Sequence, residues 1–243
     1  MKIIVCKDSK EGGLKAAEIL RDVINEKNDA VLGLATGSTP IDMYKSLIKM
    51  YENKELTFKD VKSVNLDEYV GLSGEHDQSY RYFMNDNLFN HVDINKENTY
   101  VPNGLADDYD AEVKEYEERI DRLGGQDVQI LGVGVNGHIG FNEPAEKLEL
   151  YTHVEDLTQS TIDANSRNFA SVDDVPKQAI SMGLRSIFKA KKIVLMAFGE
   201  NKADAIASLE YSKVSTLVPV SLLKLHDDVT VIVDEAAASK LSK

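Results

Sequence analysis

Residues 30–40, AVLGLATGSTP, carry the clearest indication of fold class in this chain of 243 residues. Residues 30–35 form an apolar run, and residues 36–40 form a small polar turn that leads into a helical pattern. A strand that is apolar on both sides is typical of a parallel sheet, because helices cover both of its faces. The stretch therefore predicts a strand–turn–helix unit of an α/β protein.

The same unit recurs along the chain. Apolar runs predict strands at residues 2–5, 30–35, 61–66, 128–133, 193–198 and 229–233. Helical spacing is present at residues 14–24, 79–89, 105–123, 176–188 and 201–209, with a stop expected at Gly124 and Gly125. This alternation predicts one α/β domain over residues 1–243, with an open, mostly parallel, doubly wound, Rossmann-like sheet and helices on both faces. Residues 151–175 are polar and weakly periodic, which indicates a long loop or lid segment.

The composition limits the possible partners. The net charge of −13 disfavours nucleic acid and anionic membrane surfaces, both of which need clustered Lys and Arg. No apolar run approaches the roughly 20 residues of a membrane helix, and the start of the chain does not resemble a secretory signal. A single cysteine excludes an intrachain disulfide and a Cys-based zinc cluster. We therefore expect a cytoplasmic protein.

Ligands of doubly wound sheets bind beyond the carboxyl ends of the strands, so the residues after each strand are the candidates for chemistry. After the second predicted strand, the backbone N–H groups and hydroxyls of the segment Thr36-Gly37-Ser38-Thr39 can form an anion cradle at a helix start. Thr39 is the expected N-cap and Pro40 the first helical residue. The alternative is a well-capped turn without a ligand.

Two adjacent carboxylates, Asp67 and Glu68, follow the third predicted strand. Consecutive residues of an extended segment point in opposite directions, so only one of them is expected to face a cleft and transfer protons. The alternative is a helix-capping or solvated acidic pair. Nearby, Glu75, His76 and Asp77 form a short polar loop without a partner at metal-ligand spacing, and we expect no metal there.

The segment GVGVNGHIGFNEP, residues 132–144, follows the fourth predicted strand and contains a Gly-x-Gly-x-x-Gly pattern. A dinucleotide fingerprint should open a long helix, whereas Pro144 arrives early and no amphipathic pattern begins here. The glycines instead indicate a sharp turn close to a ligand. His138 and Glu143, with Asn136 beside them, are candidates for acid–base chemistry, although structural hydrogen bonding of the histidine stays open.

Two cations are candidate anion ligands. Lys202 stands at the start of a predicted helix, where a positive charge opposes the helix dipole unless an anion lies nearby. Arg167, within the segment predicted as a lid, is a candidate phosphate clamp. Either side chain read alone is also compatible with a solvated surface position.

Taken together, these segments resemble the glucosamine-6-phosphate deaminase family, also called the glucosamine/galactosamine-6-phosphate isomerase family. The resemblance runs along nearly the whole chain and is strongest in LATGSTP (34–40), NLDEYVGL (65–72), GHIGFNEP (137–144) and NSR (165–167). The Gly-His-Ile-x-Phe-Asn-Glu-Pro string is specific. Related phosphogluconolactonases share the fold and the Gly-His pair but differ after it.

The resemblance implies that glucosamine 6-phosphate and water give fructose 6-phosphate and ammonium, without metal or cofactor. Asp67 would move the proton between C2 and C1 of the opened sugar. His138 would open the pyranose ring, with Glu143 orienting it and Asn136 assisting. The phosphate would be held by Thr36, Gly37, Ser38, Thr39, Arg167 and Lys202.

Two departures from the family pattern bear on regulation. Many members carry Asp where this chain has Asn136, so Glu143 should dominate the pairing with His138. Allosteric hexameric members carry basic residues after Asn-Glu-Pro and extend further at the C-terminus, whereas this chain has His153, Glu155 and Asp156 and ends at Lys243. We therefore expect a monomer or a small homo-oligomer without activation by an acetylated sugar phosphate.

Two other functions stay open at this stage. A phosphogluconolactonase-like hydrolase would use His138 to activate water, but the residues after His138 and around Asp67 disfavour it. A sugar-phosphate sensor of the kind found in bacterial repressors would carry a DNA-binding helical module, and we expect none before Met1.

Overall fold

A seven-stranded, fully parallel sheet forms the centre of the computed structural model, which describes residues 1–166, 169 and 171–242. Its strands are β1 (Lys2–Cys6), β2 (Val31–Leu34), β3 (Lys62–Asn65), β5 (Thr99–Tyr100), β6 (Val128–Leu131), β9 (Ile193–Ala197) and β10 (Val229–Asp234). The six predicted strands are confirmed. The short edge strand β5 was not predicted, because two residues carry no periodicity.

Helices connect most of these strands. They are α1 (Ser9–Glu26), α2 (Ile41–Glu52), α3 (Tyr80–Met84), α4 (Tyr109–Arg122), α5 (Gln159–Ser166), α6 (Leu184–Phe188) and α7 (Ala203–Ala207). A π-helical turn, Asn85–Phe89, extends α3. Helix α4 stops where it was expected to, since Gly124 and Gly125 both have φ of +79°. It starts later than predicted, because the Asp108 side chain caps it.

The order of the central strands is β1-β10-β9-β6-β2-β3-β5. From β2 the chain builds outward through β3 to β5 and then returns to β6, on the other side of β2. Residues of β2, β6 and β9 are buried throughout, so both faces of the sheet centre are covered. The predicted doubly wound α/β class is confirmed, and the strand order reverses between β2 and β6.

A second, smaller sheet was not predicted. Its strands are β4 (Asp67–Tyr69), β7 (His153–Asp156) and β8 (Gln178–Ser181), which pair antiparallel in the order β4-β8-β7. The prediction of one helix over residues 176–188 is wrong, because β8 occupies its first half and only α6 is helical. The interpretation of residues 151–175 as a loop is also wrong, because the segment contains β7 and α5. Its role as a lid stays a prediction.

The apolar side chains divide into two clusters. The main one fills the space between the central sheet and its helices and includes Leu20, Leu32, Tyr44 and Ile120. The second consists of Tyr69, Phe141, Leu157 and Ala179, with partly buried neighbours from α5 and α3, and it supports the small sheet. In the part of the chain described, no helix combines the length and the apolar character that a membrane span requires.

Candidate active site

The turn after β2 lies at the reversal of strand order, where doubly wound sheets bind ligands. Gly37 there has a φ of +87°, and the turn is partly exposed. No described residue makes a hydrogen bond with the hydroxyl of Thr36, Ser38 or Thr39. The expected capping by Thr39 is wrong: α2 begins at Ile41, Pro40 is its N-cap, and no side chain caps it. The hydroxyls are therefore free for a ligand.

Asp67 and Glu68 have different environments, although both are buried. The Glu68 carboxylate accepts hydrogen bonds from the backbone N–H groups of Tyr69, Tyr80 and Arg81 at 2.8–2.9 Å, which fixes the start of α3. Among the described residues, none donates a hydrogen bond to the carboxyl group of Asp67. Burial, followed by repulsion from Glu68, raises the pKa of Asp67 to about 8.

The loop after β6 turns tightly around His138. The Gly134 N–H donates to the His138 carbonyl at 2.9 Å, and a Cβ atom at Gly134 would lie 2.3 Å from Cε1 of the His138 ring. Only glycine allows this approach. In the described chain no helix opens within or directly after this loop, as the early Pro144 predicted.

Glu143 is held from several sides. Asn136 Nδ2 donates to Oε2 at 2.6 Å, and Thr161 Oγ1 donates to Oε1 at 2.7 Å. His138 Nδ1 lies 3.3 Å from Oε1, in ion-pair range but without the alignment of a hydrogen bond. Partial burial raises the pKa of Glu143, but these contacts, His138 foremost, outweigh it and lower the pKa to about 2. Glu143 is therefore an anion facing the imidazole.

Ser181 connects the strand of Asp67 with the loop of His138. In the small sheet it lies opposite Asp67 on one side and opposite His153 on the other. Its hydroxyl accepts a hydrogen bond of 3.1 Å from the backbone N–H of Phe141. Because paired residues of a sheet share a face, Asp67 and the loop that carries His138 meet on the same side of β8.

Lys202 is presented by the turn after β9, which neighbours β6 in the sheet. The turn is fixed by Asp234, whose two carboxylate oxygens each accept the Gly199 N–H at 3.0 Å. No described residue forms an ion pair with Lys202, and burial lowers its pKa. A partly buried ammonium without a counter-ion favours a bound anion.

Two further expectations concern this region. Arg167 lies outside the described residues, so its placement stays a prediction. Within the described part of the chain, no group of three or more His, Cys, Asp or Glu side chains is arranged to hold a metal ion.

Sequence reasoning did not find Thr161, Ser181 and Asp234, which position the candidate residues. Thr161 was part of the segment interpreted as a loop, and Ser181 was part of the segment predicted as a helix. Neither residue belongs to a local motif, because each contacts the site through tertiary structure. Asp234 directly follows the apolar run at residues 229–233 and is the last residue of β10, which was a signal that could have been used.

Comparisons with known proteins agree with this architecture. A family model described as glucosamine-6-phosphate isomerases/6-phosphogluconolactonase matches residues 9–232. A glucosamine-6-phosphate deaminase of Clostridium beijerinckii is 57% identical over 241 residues, covering 99% of this chain and 100% of the relative. One of Clostridioides difficile is 55% identical over 242 residues, covering 100% and 97%.

Solved structures point the same way. A monomeric glucosamine-6-phosphate deaminase, described as a missing link of the NagB superfamily, is 46% identical with a TM-score of 0.96, covering 99% of this chain and 100% of the other. A 6-phosphogluconolactonase from Leishmania guyanensis, 20% identical with a TM-score of 0.76 and covering 100% and 99%, shares the fold. The chain is an α/β protein with the NagB superfamily fold. It belongs to the family of glucosamine-6-phosphate isomerases and 6-phosphogluconolactonases.

Proposed function

We propose that this chain is an enzyme that converts glucosamine 6-phosphate and water into fructose 6-phosphate and ammonium. The observation that carries the proposal is the arrangement of two groups. His138 is paired with the anionic Glu143, and the loop that carries both contacts Ser181, the cross-strand neighbour of the buried Asp67. Relatives 55–57% identical over nearly the full chain, which bear the name of this deaminase, support the same reaction.

The phosphate group binds at the turn after β2, where Thr36, Gly37, Ser38 and Thr39 offer backbone and hydroxyl donors. Lys202 reaches it from the turn after β9, and Arg167 completes the binding by analogy with the family motif. Binding energy from this end of the substrate orients the reacting carbons at the other end.

Ring opening requires one group that can both give and take a proton near neutral pH, which suits an imidazole. Nδ1 of His138 faces Glu143, so Nε2 is the atom that meets the sugar. The carboxylate of Glu143 faces and orients the imidazole, and Asn136 keeps Glu143 in place and assists in opening the sugar ring.

Isomerisation follows in the opened sugar. Asp67 takes the proton from C2, the electron pair forms the C1–C2 double bond of an enolamine, and the C1=O π pair moves to O1, which takes up a proton. A proton then returns at C1 as the nitrogen lone pair forms a C=N bond at C2. Water then adds at C2, the C–N bond breaks, and the nitrogen leaves as ammonium. All atoms of substrate and water are recovered in the two products, and no oxidant is needed.

The raised pKa of Asp67 suits this role. A base with a pKa near the working pH combines a useful ionised fraction with enough basicity to remove a carbon-bound proton. The cationic amine of bound glucosamine 6-phosphate stabilises the ionised carboxylate, as any nearby positive charge does. Substrate binding therefore converts Asp67 into the base at the position where a base is needed.

We further propose that the protein acts as a monomer or a small homo-oligomer in the cytoplasm, without allosteric activation. The monomeric relative supports the first point. The acidic Glu155 and Asp156 support the lack of activation, because an anionic effector would be repelled by them.

The test is an assay that follows ammonium and fructose 6-phosphate released from glucosamine 6-phosphate in buffer containing a metal chelator. We expect both products in equal amounts. The same preparation is offered 6-phosphogluconolactone. Loss of the lactone without ammonium release would favour the hydrolase, and binding of glucosamine 6-phosphate without products would favour a sensor.

A further inference from the structure

Helix α5 contributes a side chain to the candidate site from outside every motif. Thr161, in its first turns, donates a hydrogen bond of 2.7 Å to Oε1 of Glu143, which lies 18 residues earlier in the chain. Thr158 supports this geometry, because its hydroxyl donates to Thr161 Oγ1 at 3.0 Å.

The two oxygens of Glu143 are held differently. Oε2 is fixed by Asn136, which belongs to the same loop. Oε1 is the oxygen that faces His138, and its well-aligned hydrogen bond comes from Thr161. Glu143 is only 8% exposed, so water cannot easily replace a lost donor. The position of Oε1 against the imidazole therefore depends on α5.

Helix α5 packs on an apolar surface that lies beside the site. Leu157, which precedes the helix, belongs to the apolar cluster that contains Tyr69 and Phe141, and Ile162 within the helix packs against that cluster. Tyr69 belongs to the strand that carries Asp67, and Phe141 belongs to the loop that carries His138. Ile162 and Thr161 are neighbours in α5, so the placement of the helix on this cluster also sets the position of the Thr161 hydroxyl against Glu143.

We propose that Thr161 is a positioning residue that holds Glu143 against His138 when α5 is docked, and thereby links the placement of this helix to the acid–base pair. The inference rests on the proposed function for its kinetic consequence. Its structural content, the control of Glu143 by Thr161, does not depend on the reaction.

The test compares Thr161→Val, which keeps the shape but removes the donor, with Thr161→Ser, which keeps the donor. Gln159→Ala is the matched control, because it removes the exposed hydrogen bond from Gln159 to Asp163 within the same helix. We expect Thr161→Val to lower kcat about tenfold, as for a lost hydrogen bond to a charged group, with KM changed less than about twofold. Thr161→Ser and Gln159→Ala should stay near wild type.

The pH profile separates positioning from packing. Loss of a donor favours the protonated carboxyl group, so the acid limb of kcat should move to higher pH in Thr161→Val. Among the described residues, the titratable groups acting on Glu143 are His138 from its own loop and Glu155 from β7. The same shift should appear in the Glu143 carboxyl carbon resonance of the enzyme without substrate.

Each outcome decides the proposal. An unshifted Glu143 titration in Thr161→Val overturns it, as does a loss of kcat that Thr161→Ser shares. If wild-type protein releases no ammonium, the proposed function fails, and the carboxyl resonance alone decides whether Thr161 controls Glu143.

Discussion

Asp67 and Ser181 lie opposite each other in adjacent antiparallel strands, and the Ser181 hydroxyl accepts a hydrogen bond of 3.1 Å from the Phe141 N–H. The strand that carries the proposed base is thereby joined to the loop that carries the proposed acid. The small sheet is thus the element that sets the distance between the two residues proposed to act in this reaction.

This junction predicts that Ser181→Ala destabilises the protein and lowers activity. The buried Phe141 N–H loses its acceptor, which should reduce the free energy of unfolding by about 1–3 kcal/mol. Denaturant unfolding measures this change, with the exposed Ser239→Ala as the control. An unfolding midpoint equal to wild type would show that Phe141 finds another acceptor.

Replacing Asp67 with Asn should lower kcat by about 10²–10⁴, the usual loss for a general base. Substrate should still bind, because the phosphate contacts are elsewhere. Steady-state kinetics and a separate binding measurement check both points. Turnover near wild type would exclude Asp67 as the base.

The same substitution should change how stability depends on pH. The pKa of Asp67 is about 8 in the folded protein, above its ordinary value of 3.8, so the folded state binds more protons than the unfolded state between these values. The stability that Asp67 contributes is therefore lost as pH rises, by up to about 1.4 kcal/mol per pH unit. Asp67→Asn should remove this dependence, so the free energy of unfolding of the variant should rise relative to that of wild type from pH 4 to pH 8.

Denaturant unfolding at several pH values measures this effect. The exposed Asp60→Asn is the matched control for removing one carboxyl group from the chain. If the free energy of unfolding depends on pH in the same way for Asp67→Asn and wild type, the pKa of Asp67 is not raised.

His138→Gln should lower turnover most with the cyclic form of the substrate. Glutamine cannot exchange a proton near neutral pH, so ring opening becomes limiting, with a loss of about 10²–10⁴. An acyclic analogue that cannot close its ring should be affected much less. Equal losses with both substrates would assign His138 to a later step.

Lys202→Ala should weaken the binding of phosphorylated ligands far more than the binding of unphosphorylated ones. An ammonium that meets a phosphate in a partly buried site contributes by charge, and the loss should be about tenfold or more in affinity. Calorimetry with glucosamine 6-phosphate and glucosamine measures the difference. Lys59→Ala is the control, because Lys59 precedes β3 and lies at the amino-terminal end of the strands. If Lys202→Ala weakens the binding of both ligands equally, the phosphate binds elsewhere.

Six strands of the central sheet could be predicted from the sequence because most of them are largely apolar, whereas the two-residue edge strand β5 could not. The candidate residues could be predicted because they follow those strands directly, as Asp67 follows β3 and His138 follows β6. The second sheet could not, because β4, β7 and β8 are three or four residues long and partly polar. So short a pattern carries no period, and only the pairing partners make it a strand.

The α/β class, the carboxyl edge of the sheet and the candidate residues that follow its strands could all be predicted from the sequence, because hydrophobic periodicity and turn residues are local properties. Contacts of the folded chain decide that Glu68 fixes the start of α3, whereas no described residue donates a hydrogen bond to the Asp67 carboxyl group. They also bring Thr161 and Ser181 to the loop of His138. These relationships join residues many positions apart, and a contact between distant parts of a chain leaves no trace in local spacing.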